Sequence, residues 1–166
     1  MTTAIEAYRA AVPAHLDPWD LVDPARLLRD LAAATPLLTG RLLLCQVARP
    51  ATDQALVAQT DVWPDGQPAD EMQARDEVEA AMRRIGHRDW EWDDDVRLTS
   101  AVVNVVIRGG RAVPRASDYT VRLSLQYANN PFQALRGDLI IVTPYGWITA
   151  LDELAGLEPV AAAASA

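Results

Sequence analysis

The sequence predicts an α+β protein, with N-terminal helices and one long central helix packed on a mostly antiparallel sheet of about five to six strands. Three observations carry this. The longest apolar and β-branched runs, with the clearest turn signals, lie between Leu98 and Ile148. Two Asp-Pro pairs early in the chain have the chemistry of helix starts. The segment from Asp70 to Ile85 has acids in its first turn, Arg83 and Arg84 in its last, and Gly86 beyond them.

Taken in order, Thr3 to Val12 predicts a helix with Ile5, Tyr8 and Val12 on one face, ended by Pro13. Asp17-Pro18 and Asp23-Pro24 each place an N-cap carboxylate before a proline at the first helical position. Leu16 with Leu21, and Val22 with Leu27, can bracket those caps as apolar staples. The second of these helices, Pro24 to Ala34, buries Leu27, Leu28 and Leu31. Strands are expected at Arg41 to Ala48 and Ala55 to Trp63, joined by a polar turn as a hairpin. The helix from Asp70 to Ile85 follows, with Val78, Ala81, Met82 and Ile85 inward.

Val102 to Ile107 is apolar on both faces apart from Asn104, the pattern of an interior strand. Gly109-Gly110 then suits a two-residue hairpin turn with a short return arm from Arg111 to Val113, limited by Pro114. From Tyr119 to Tyr127 apolar and polar residues alternate without a miss, which favours a strand with Leu123 in the core. The rival is a helix capped by Asp118 and stopped at Asn129-Asn130-Pro131, in which Tyr119, Leu123 and Tyr127 face away from Val121 and Leu125. Asp138 to Thr143 is another doubly apolar strand, and Pro144-Tyr145-Gly146 turns Trp147 to Ala150 back beside it. The expected organisation is a single domain over residues 1–156 and a frayed Ala-rich tail over 157–166. Element count and order resemble cone-shaped folds of the nuclear-transport-factor-2 type and also small acidic secretion chaperones. Such a resemblance implies a fold and carries no function.

All fifteen basic residues are arginine, consistent with the codon supply of a high-GC bacterium. Cys45 is the single cysteine and sits in an apolar run, so a disulfide or Cys-based zinc site is excluded and a small buried core residue is expected. Glu6 and Arg9 interrupt the opening residues, and no run approaches the ~18 apolar residues of a membrane span, so a cytoplasmic protein without a membrane segment is expected. The net charge of −8 is uneven: twelve acids face four arginines between Asp61 and Asp95, and the remainder balances at eleven against eleven.

No Gly-rich phosphate loop, GxSxG elbow or HExxH is present, and two histidines, His15 and His87, cannot make a His-based metal triad. No cofactor or catalytic set is therefore expected. The segment 86–95, GHRDWEWDDD, would if extended align His87, Asp89, Glu91, Asp93 and Asp95 on one face and Trp90 and Trp92 on the other. That pattern fits a cation site or acid–base pair, but fits better a solvated edge strand whose charges block further strand addition, so no metal is expected. Arg97, Arg108, Arg111, Arg115 and Arg122 cluster around a single acid, Asp118. Such arginines prefer planar carboxylates, and the acidic overall field disfavours nucleic acid. The leading expectation is a non-enzymatic domain that binds a protein partner or itself as a homodimer, through Trp90, Trp92, Arg108, Arg111, Arg115, Tyr145 and Trp147. The alternative is a small enzyme or ligand binder with a pocket between helices and sheet, using His87, Asp89 or Asp138 as acid or base.

Overall fold

Strands apolar on both sides need cover on both sides, and this requirement organises the molecule. The computed structural model describes residues 2–63, 70–86 and 98–163. Among them, β1 (Leu42–Ala48) and β3 (Ser100–Ile107) are buried along nearly their whole length at the centre of a six-stranded sheet. Around them stand β2 (Ala55–Asp61), β4 (Leu135–Thr143), β5 (Gly146–Thr149) and β6 (Ala155–Gly156), in the order β2-β1-β3-β4-β5-β6. The β3–β4 pair is parallel and the other four pairs are antiparallel. The fold is α+β, with helices on a mixed sheet.

Four helices accompany the sheet among the described residues: α1 (Ala4–Ala11), α2 (Pro24–Ala34), α3 (Glu71–Arg84) and α4 (Ala116–Ala128). Leu27, Leu28 and Leu31 of α2 cover one face, over Leu43, Cys45, Val103, Val105, Ile140 and Val142. On the other face, Val78, Ala81 and Met82 of α3 and Val121, Leu125 and Ala128 of α4 lie over Leu42, Leu44, Val102, Val106, Leu139 and Ile141. Helices therefore cover both faces of the sheet. Asn104 lies within the second of these layers, between Leu44 and Leu139, and neither of its amide atoms has a partner among the described residues.

The expected starts of α2 and α3 are where the caps put them. Asp23 accepts the Arg26 amide at 2.9 Å and Asp70 accepts the Gln73 amide at 2.8 Å. Asp17-Pro18, in contrast, opens only a turn. The Asp17 amide donates to Asp20 Oδ2 and the Asp20 amide to the Asp17 carbonyl, and α2 follows too soon for a helix to nucleate between.

Two further expectations are corrected between β3 and β4. The residues after Gly109-Gly110 form no return strand: Arg108 reaches across them and donates to the carbonyls of Gly109, Arg111 and Val113, which holds a loop. Gly110 has φ +85°, and a Cβ there would strike the Arg115 guanidinium. The segment from Tyr119 to Tyr127 is helix α4, not a strand, and Leu123 is 45% exposed rather than in the core. Parallel strands need a crossover connection, and α4 provides it.

The tail differs from the frayed expectation over 157–162. Ala161 is buried, its amide donates to Thr143 O at 3.0 Å, and Ala162 exchanges hydrogen bonds with Leu37 O and the Thr39 amide. No helix among the described residues is long and apolar enough to cross a membrane.

Candidate functional site

Arg108 stands at the end of β3 and Asp118 in the first turn of α4, so the crossover brings two residues ten apart together. Arg108 Nε meets Asp118 Oδ1 at 3.0 Å and Nη2 meets Oδ2 at 2.8 Å, a bidentate pair. Asp118 is 1% exposed and also accepts the Arg115 amide at 2.8 Å, which fixes the start of α4. Arg108 is thus a clamp for its own loop, and the expected arginine surface is reduced to Arg111 and Arg115, both exposed.

The other expected contact residues separate. Tyr145 is 70% exposed at the β4–β5 turn. Trp147 is 5% exposed, donates Nε1–H to Glu158 O at 2.8 Å and packs flat on Gly156, so it is core and not a surface contact. Asp138 is buried, and its carboxylate accepts the amides of Leu139, Leu151 and Asp152, at 2.6, 2.8 and 3.2 Å respectively. It fastens the turn after β5 and offers no free oxygen for acid–base work. His87, Asp89, Trp90 and Trp92 lie outside the described residues. Among the described residues no group of three His, Cys, Asp or Glu is placed to hold a metal ion.

Two features emerge that the sequence reading did not single out. The first is the outer face of α4. Tyr119, Leu123 and Tyr127, one turn apart, are 42, 45 and 47% exposed. Ala116, Thr120 and Gln126 complete that face, and none of these residues is charged. The pattern was legible as the outward stripe of the rival helix.

The second is a cavity of about 350 Å³ between the N-terminal halves of α3 and α4 and the ends of β3 and β2. Ala74, Val106, Ile107, Val121 and Trp63 form its apolar lining, and Asp70, Glu71, Arg41 and the Arg108–Asp118 pair lie on its polar part. A more polar cleft of about 340 Å³ lies between α4 and the start of β4, with Trp19, Asp20, Arg122, Asp138 and Asp152 in its walls. Burial first, then the carboxylates of Asp138, Asp20 and Asp17, raise the pKa of Asp152. Cys45 is fully buried and burial pushes its thiol far up, which leaves it without nucleophilic character.

Comparison with protein-family models, with curated proteins and with solved structures finds no match for this chain.

Proposed function

We propose that this chain is a non-enzymatic interaction domain that pairs with a second copy of itself through the outer face of α4. The observation that carries the reading is the stripe Tyr119, Leu123 and Tyr127, three large apolar side chains in line and each more than two fifths exposed. Isolated apolar residues on a surface are ordinary; an aligned aromatic and aliphatic row on a helix is the form of a helix–helix contact.

A second copy suits the stripe because the row is self-complementary. Laid antiparallel about a two-fold axis, Leu123 meets Leu123 and Tyr119 meets Tyr127 of the other copy. The face lacks charge, so two acidic molecules can approach there without setting like charges directly against each other. Arg111, Arg115 and Tyr145 are exposed outside this face, and the reading needs no contact from them.

Sedimentation equilibrium tests this. Wild type is expected to dimerise at micromolar concentration, and Leu123→Ser with Tyr127→Ser to give a monomer whose far-ultraviolet circular dichroism is unchanged. Monomeric wild type would remove self-pairing and leave a different protein as the partner of the stripe.

A further inference from the structure

The cavity beside α3 combines an apolar interior with an unusual balance of charge. Among the described residues two arginines line it, and both are spent within the fold. Arg41 Nε pairs with Asp61 Oδ2 at 2.7 Å, and its Nη1 donates to Thr35 Oγ1 at 3.0 Å and Pro36 O at 2.9 Å. Arg108 is held by Asp118 and three backbone carbonyls. The carboxylates on the α3 side are not neutralised in this way. Asp70 caps its helix through the Gln73 amide, and Glu71, exposed beside it, forms no ion pair among the described residues, not even with Arg75 one turn along.

From this we infer a binding site for a small molecule with an apolar body and a protonated amine at one end. The volume falls within the ~300–1,000 Å³ of small-ligand pockets. Ala74, Val106, Ile107, Val121 and the Trp63 ring take the body. Glu71 and Asp70 attract the amine, and the partial positive charge of the α3 N-terminus offsets only part of their field. Among the described residues of the lining a carboxylate or phosphate finds no unspent cation and meets two carboxylates instead. The cavity walls do not include Tyr119, Leu123 or Tyr127, the residues that carry self-pairing, although Thr120 borders both the cavity and that face, so ligand binding is also measured in Leu123→Ser with Tyr127→Ser.

The test uses phenethylamine and phenylpropionate, which share an aromatic body and differ in the sign of the charged end. Binding is followed by calorimetric titration and by the rise in melting temperature that a native-state ligand produces. The amine is expected to bind and raise the melting temperature at millimolar concentration, with the carboxylate about tenfold weaker or silent. Glu71→Gln should weaken the amine about fivefold, the scale of a partly exposed charge contact, and leave the carboxylate unchanged or stronger. Ser117→Trp, at an exposed position in the lining, and Ala74→Leu, at a buried one, should each abolish binding by filling the cavity. Equal affinity for both probes would overturn the inference, as would no binding of the amine, or binding that survives both filling variants in folded protein.

Discussion

Asp152 is exposed on the turn that Asp138 fastens, and its carboxylate is held above the ordinary range by partial desolvation and by the carboxylates of Asp138, Asp20 and Asp17. An acid whose folded-state pKa is raised is easier to ionise in the unfolded chain, so its charge opposes folding at neutral pH. That cost is present above the folded pKa, fades as pH falls through it, and is gone below the ordinary aspartate value of about 3.9. Asp152→Asn should therefore melt above wild type at pH 7, by up to about 3 °C given the solvent screening at an exposed site. The difference should close when both proteins are melted at a pH below the ordinary aspartate range. A variant that melts lower than wild type at neutral pH would show that the carboxylate has a favourable contact there. The neighbouring Asp138 is buried instead, and three backbone amides converge on its carboxylate, which fastens the turn. Two aspartates in one cleft thus have different roles, and only their surroundings tell them apart.

Helix α4 is the element on which the two readings of one sequence diverge. Apolar residues at 119, 121, 123, 125 and 127 satisfy an alternation of two, but the same spacing satisfies two helical stripes, Tyr119-Leu123-Tyr127 and Val121-Leu125. Ala128 and Phe132 continue the second stripe into the core, and Asn129 closes the helix by bonding both backbone groups of Ala134. Leu125, 3% exposed, should accordingly cost about 2–5 kcal/mol when replaced by Ala, and Leu123→Ser well under about 1 kcal/mol in the monomer. Urea denaturation of both variants checks this, and equal losses would contradict the helix. The elements that local chemistry dictates were legible: β3 and β4 from doubly apolar runs, β1 and β2 from two strand-like runs about a polar turn, α2 from the Asp23 cap, and α3 from its acidic first turn and the Arg83, Arg84 and Gly86 end. What escaped depends on partners distant in sequence. Arg108 chooses a loop over a hairpin because Asp118 holds it, Trp147 is buried because Gly156 and Glu158 close over it, and Ala161 is fixed by Thr143. Of the expected contact residues only Arg111, Arg115 and Tyr145 stand exposed among those described, and the cavity beside α3 exists only once two helices are laid side by side.

At the scale of the whole molecule the governing quantity is the net charge of −8. Two copies that approach repel one another over a range of about 8 Å at physiological salt, and added salt shortens that range. A contact between charged patches, the acidic segment 61–95 on one copy and exposed arginines on the other, would be attractive and would weaken as salt rises. Arg108 is withdrawn from that attraction by Asp118, which leaves Arg111 and Arg115 as its basic side. A contact through the uncharged face of α4 has the opposite dependence: the apolar burial is insensitive to moderate salt, and the repulsion between the two bodies is relieved. The dimer is therefore expected to hold or tighten between low and high sodium chloride. Arg111→Glu with Arg115→Glu adds negative charge without touching the stripe, so that variant should dimerise more weakly than wild type at low salt and recover most of the difference at high salt. Sedimentation of both proteins at the two salt concentrations decides between the contacts. A dimer that loosens with salt and is lost in the double variant at every salt concentration would place the interface on the charged patches, whereas recovery in salt is what an uncharged helix face requires.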